Sequence, residues 1–149
     1  MGMKTLDASR LSHTAVAIAR SSLPAPIISY DVSPGRWRLE ADYAYLDGPN
    51  RITVPSQFSF NLASVPRAFW WLIAPFELSI AAPLIHDFLY GYGGRPPAGA
   101  IVPPRDYDRK QSDQLFRTLM TLEGVPAWRR SAAYRAVRWF GGAGWGRGS

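Results

Sequence analysis

A histidine and an aspartate stand side by side at His86 and Asp87, inside the apolar run Ala82-Pro83-Leu84-Ile85-His86-Asp87-Phe88-Leu89-Tyr90-Gly91. An imidazole can accept or release a proton near neutral pH, and a carboxylate can orient a neighbouring group or hold a cation. The two together supply the parts for general base or metal-assisted chemistry. Read as a helix, the run is opened by Ser79, carries Pro83 in its first turn, where a missing N–H is tolerated, and has Gly91 just past its end. His86 and Tyr90 are then i and i+4 and share a face. Asp87 projects about 100° away from His86, so one helix offers an imidazole to one neighbour and a carboxylate to another. Taken alone, a His-Asp pair on an apolar helix is more often a buried, hydrogen-bonded structural pair than a catalytic one.

A second carboxylate sits on a second helical pattern. Asp106 or Asp108 can cap a helix from Arg109 to Glu123, closed by Gly124, with Leu115, Phe116, Leu119, Met120 and Leu122 as its buried stripe. Asp113 lies beside that stripe, with Arg109 and Arg117 one turn away on either side, and these arginines are its expected neutralising partners. A last helix, Pro126 to Phe140, carries Arg129, Arg130, Arg135 and Arg138, read as a solvated face, and Trp128, Tyr134, Val137 and Trp139, read as packing residues. The end of the chain, 142–149, is expected to be mobile.

The elements that must position these residues begin as strands. Ile27-Ile28-Ser29-Tyr30 is followed by Trp37, Leu39, Ala41, Tyr43 and Tyr45, alternating with mostly polar residues, which is the period of a strand. Asp47-Gly48-Pro49-Asn50 supplies turn chemistry before Ile52-Thr53-Val54, predicting a hairpin, and Gln57 to Phe60 reads as a further short strand. Asn61 to Arg67 reads as a loop entering a helix at Ala68 to Ile73, with Pro66 near its first position. A helix N-terminus placed there could hold an anion or a reacting oxygen. The Gly- and Pro-rich segment Tyr92 to Arg105 reads as a loop. Residues 1–24 are expected to form a docking arm or a short helix, with Leu11, Ala15, Ile18 and Ala19 at helical spacing.

The whole therefore reads as α+β in a single domain, 1–149. A strand-rich N-terminal half packs on a helical C-terminal half, in which His86 and Asp113 lie on two antiparallel helices. Its 149 residues suffice for a buried core, and a 47% hydrophobic content excludes a disordered chain. No apolar run reaches the roughly 18 residues of a transmembrane helix. The absence of cysteine excludes disulfides and thiolate metal sites, and two histidines make a structural zinc site a poor fit. Seventeen Lys and Arg against eleven Asp and Glu give +6, which favours an anionic partner: a phospholipid surface, nucleic acid or an acidic protein. Nucleic acid fits least, because no recognised module accompanies the charge.

Two resemblances add to this reading. His86-Asp87-Phe88-Leu89-Tyr90, followed by Asp113-Gln114-Leu115-Phe116 and preceded by Asn61-Leu62-Ala63-Ser64-Val65-Pro66, resembles in order and type the site of secreted, calcium-dependent phospholipases that cut the sn-2 ester, the bacterial and fungal members above all. The resemblance implies His86 as general base toward water, Asp113 as the carboxylate orienting it, and Tyr90 as a hydrogen-bond donor to Asp113. It also implies calcium held by Asp87, the Asn61 side chain and backbone carbonyls of the Leu62 to Ser64 loop. Those enzymes usually have Asp where Asn61 stands, a loss of ligand charge that would weaken calcium. The span from Ile52 to Gly141 is also similar to an uncharacterised family of phage and prophage proteins, known only as a domain of unknown function. The residues that carry this similarity are Thr53-Val54-Pro55, Leu62 to Arg67, His86 to Tyr90 and Arg109 to Asp113. Together these imply a phage-associated phospholipase-like protein or, alternatively, a non-catalytic virion or assembly protein of the same fold. Its expected place is the virion or the host cytoplasm, and its expected partners are a phospholipid surface or other phage structural proteins.

Overall fold

Alternating apolar side chains can bury one face of a strand only if the strand pairs, and the first half of this chain does so twice. A computed structural model describes residues 23–33, 35–60 and 80–148. Strands β1 (Ile28–Asp31), β2 (Arg36–Leu39) and β5 (Ser59–Phe60) form one antiparallel sheet in the order β1-β2-β5. Strands β3 (Tyr43–Asp47), β4 (Asn50–Val54) and β6 (Ile101–Val102) form another, in the order β3-β4-β6. The β3–β4 hairpin turns where the sequence predicts, through Gly48 and Pro49, with Asp47 opposite Asn50. The alternating run from Trp37 to Tyr45 is not one strand. It breaks at Glu40 to Asp42, so Leu39 pairs with Ile28 in the first sheet while Tyr43 pairs with Val54 in the second. A period of two cannot show that a strand changes sheets, because both halves keep the alternation.

The second half contributes helices α1 (Ala81–Gly91), α2 (Arg109–Leu122) and α3 (Ala127–Phe140). The fold is therefore α+β. Leu39, Ile52, Val54 and Phe60 from the strands, with Phe58 just before β5, share one apolar core with Leu84, Phe88 and Leu89 of α1, Phe116 and Leu119 of α2 and Val137 of α3. Phe58 meets Phe88 edge-on at 5.3 Å. Each such side chain, fully buried, contributes roughly 1.5–3 kcal/mol from apolar area alone. Residues 81–90 are all buried, so α1 is the central helix and has no solvated face.

Cap chemistry sets the helix ends. Asp108 caps α2 in a reciprocal box, its carboxylate accepting from the Gln111 N–H while the Gln111 side chain accepts from the Asp108 N–H. Gly124, at φ +81°, closes α2: its N–H bonds Thr121 O and the Val125 N–H bonds Met120 O. Helix α1 starts after Ile80, which makes no side-chain cap bond, and Ser79 lies outside the described residues. Gly91 is its last helical residue instead of its terminator. That role falls to Gly93 and Gly94, both at positive φ, whose N–H groups bond Tyr90 O and Leu89 O. A Cβ on Gly94 would sit 1.6 Å from Tyr107 O, so the backbone crossing there requires glycine.

Two further expectations change. The segment Tyr92 to Arg105 contains a strand, β6, because Ile101 and Val102 pair with Ile52 and Arg51. Trp128 and Trp139 do not pack inward: Trp139 is 73% exposed and Trp128 is also exposed, while Ala133, Ala136 and Val137 form the buried side of α3. Residues 141–148 lie against α1 through a 3₁₀ turn at Gly141–Gly144 and bonds from the Gly146 N–H to Tyr90 O and the Gly148 N–H to Gly91 O. At the other end, Pro24 O accepts from the Tyr43 hydroxyl and Leu23 packs on the core. Residues 1–22, with the candidate helix there, and the loop and helix read at Asn61 to Ile73 lie outside the described residues.

Candidate functional site

Two helices packed side by side meet through the residues on their facing stripes, and here those stripes carry the titratable groups. The Ala82 N–H at the start of α1 donates to the Glu123 carboxylate at the end of α2, and His86 and Tyr90 farther along α1 meet Asp113 nearer the start of α2. The helices are thus antiparallel. His86 Nε2 lies 2.8 Å from Asp113 Oδ1, and the Tyr90 hydroxyl donates to the same oxygen at 2.5 Å. The i, i+4 spacing of His86 and Tyr90 places both on one carboxylate oxygen, as their shared face predicts. Their rings lie 4.1 Å apart, and Phe116 flanks the imidazole on α2 at 4.6 Å.

The other carboxylate oxygen is held from a third element. Arg138 Nη1 of α3 donates to Asp113 Oδ2 at 2.7 Å. The arginines expected to neutralise Asp113 serve elsewhere. Arg109 donates to the Arg138 backbone carbonyl at 2.7 Å, and Arg117 lies over the Tyr134 ring. Local spacing proposes Arg109 and Arg117 because both are one turn from Asp113 on the same helix, but its carboxylate points toward α1 and α3. Arg138 carried one weak signal in the sequence: no Asp or Glu follows Glu123, so the arginines of α3 could find carboxylates only on other elements.

This arrangement fixes the charge states. Asp113 is wholly buried and His86 is 1% exposed. Burial pushes the Asp113 carboxyl up, but the bonds from His86, Tyr90 and Arg138 outweigh it and hold the group below its ordinary value of 3.8. For His86, burial disfavours the imidazolium, yet the Asp113 bond and the charges of Asp113 and Asp87 hold it above its ordinary 6.5. Burial and the Asp113 charge push the Tyr90 hydroxyl well above its usual range, so it stays a neutral donor. The bond to Asp113 likewise raises Arg138, which stays charged.

The tail completes the enclosure. Trp145 packs edge-on against Tyr90 at 5.0 Å, and a Cβ on Gly141 would meet the Tyr90 hydroxyl at 3.0 Å, so a side chain there would press the ring aside by a few tenths of an ångström.

Asp87, next along α1, is buried with its Oδ1 4.0 Å from His86 Nδ1. From there it helps to hold the imidazole above its ordinary value. Of the residues that resemblance assigns to calcium, Asp87 is the one described. Asn61, Leu62 and Ser64 lie outside the described residues, and among those described no three His, Cys, Asp or Glu side chains cluster as a metal site. A carboxylate oxygen on this side of the imidazole is the donor type that calcium takes.

Residues 37–137 match a family described as protein of unknown function (DUF1353). No curated protein and no solved structure matches the chain.

Proposed function

The chain belongs to the DUF1353 family of proteins of unknown function, and from the site it carries we propose that it is a calcium-dependent ester hydrolase acting on phospholipid, in the service of a phage. The observation that carries this reading is the 2.8 Å bond between His86 Nε2 and an Asp113 carboxylate held ionised by Tyr90 and Arg138. A carboxylate on Nε2 sets the tautomer in which Nε2 keeps its proton and Nδ1 has the lone pair. Nδ1, on the Asp87 side, is then the atom that takes a proton from water as that water attacks an ester carbonyl. The imidazolium so formed is stabilised by Asp113, as the raised basicity of His86 supports. Asp87, the Asn61 side chain and the carbonyls of Leu62 and Ser64 would hold calcium, which as a Lewis acid would polarise the ester and neutralise its phosphate.

The test is fatty-acid release from mixed liposomes, with calcium or with chelator. Release is expected only with calcium. Asp87→Asn should abolish both release and its calcium dependence, whereas Asn61→Asp should lower the calcium concentration needed. Equal release in the two conditions, or none at millimolar calcium, rules the reading out.

The near-complete burial of His86 and Asp113 favours a second reading, a non-catalytic virion or assembly protein in which the network only ties three helices together. On that reading His86→Gln leaves infectivity intact. Normal particles that fail to infect would sink it.

A further inference from the structure

Among the described residues, three side chains donate to Asp113, and they are unequally shared. His86 and Tyr90, both from α1, bond Oδ1, while Arg138, from α3, is the donor that the structure shows on Oδ2. A carboxylate held at one oxygen can still turn about its Cβ–Cγ bond. Held at both from opposite helices, it has one plane. Arg138 is itself anchored, because its backbone carbonyl accepts from Arg109 of α2, and Gly141 just beyond it abuts the Tyr90 ring. The guanidinium, about three-tenths exposed, is the most accessible member of the network.

We infer that Arg138 is a positioning residue of the His86–Asp113 pair: by holding Oδ2 from the third helix it sets the carboxylate plane and keeps Oδ1 aimed at His86 Nε2. The kinetic consequence rests on the hydrolase reading, but the hydrogen bond itself does not. Arg138 need never touch substrate. Without it the buried Oδ2 lacks this donor, the carboxylate turns to share its bonds, and the imidazole loses its fixed orientation.

The experiment is proton and nitrogen NMR of the full chain with labelled histidine, the His86 signals being assigned by their loss in His86→Gln. Wild type should show a far-downfield, slowly exchanging Nε2–H. Arg138→Gln should shift or broaden it away, and Arg138→Lys, which keeps a charged donor, should restore it. If the hydrolase reading holds, Arg138→Gln should also lower kcat by about 10–100-fold, with KM changed less than about twofold. A folded Arg138→Gln with an unchanged Nε2–H signal overturns the inference. So does an Arg138→Gln that unfolds while Arg138→Lys folds without the signal, since the residue would then serve the fold alone. A wild type that shows the signal but releases no fatty acid removes the hydrolase reading and leaves the positioning role standing.

Discussion

Helix α2 buries a carboxylate near each end, and the two have different company. Glu123, at its C-terminal end, accepts a backbone N–H from the first turn of α1, a contact between an anion and a helix N-terminus that locks two helices together. Asp113, in its first half, is bonded by an imidazole, a phenol and a guanidinium. Burial of a carboxylate is therefore no sign of chemistry by itself. A bond to a backbone N–H clamps two helices, whereas a bond to an imidazole joins two groups that can each carry a proton. The same pair of helices holds one of each, and the clamp helps to fix the register at which His86 meets Asp113.

Substitutions at the two ends should separate these roles. Asp113→Ala removes the acceptor for three donors and strands the Arg138 charge, so urea unfolding should show a loss of about 3–5 kcal/mol, with no fatty-acid release. Asp113→Asn keeps the shape, and its release rate should fall on the order of 10⁴-fold while calcium binding, read by calorimetry, changes little. Tyr90→Phe deletes one bond to a buried anion and should cost about 1.5–3 kcal/mol, with a smaller loss of rate.

At the other end Glu123→Gln keeps an acceptor on the Ala82 N–H and removes the charge at the helix N-terminus, so about 1 kcal/mol is expected. Release should be unchanged; a large loss there would erase the distinction between the two ends of α2.

The mildest perturbation is pH. Asp113 is held below its unfolded value, so its contribution is present above about pH 4 and is lost as pH falls through the folded value. His86 is held above its unfolded value, so its contribution is full below about pH 6.5 and is lost as pH rises through the folded value. The pair should stabilise most between those limits, seen as a maximum in melting temperature that Asp113→Asn flattens and Glu123→Gln leaves in place. Catalysis by neutral His86 should run the other way, rising with pH above 6.5.

Local rules made much of this legible. Alternation found the strands of the first half, Asp47 to Asn50 the hairpin, Asp108 the cap of α2, and the i, i+4 spacing put His86 with Tyr90, because each is a relation between residues within a turn or two. The break between Leu39 and Tyr43 was not legible, since two strands in different sheets keep one alternation. Nor was the exposure of Trp128 and Trp139, because an apolar residue on a helix names no neighbour. Nor were the bonds from the Gly-rich tail to Tyr90 and Gly91, because glycines carry no side chain that names a partner.

What the sequence determined by itself was the inventory: an imidazole and a phenol on one helical face, a carboxylate on another helix, and the Asp108 cap and Gly124 stop of that second helix. Tertiary structure decided which carboxylate the imidazole meets at which atom, and that the guanidinium comes from α3 instead of from either neighbouring turn of α2. The physical reason is range. Backbone geometry fixes neighbours along a helix, whereas the register between helices follows from how their apolar side chains interlock and from a clamp such as Glu123 on Ala82, and neither is written in the spacing of the residues that meet.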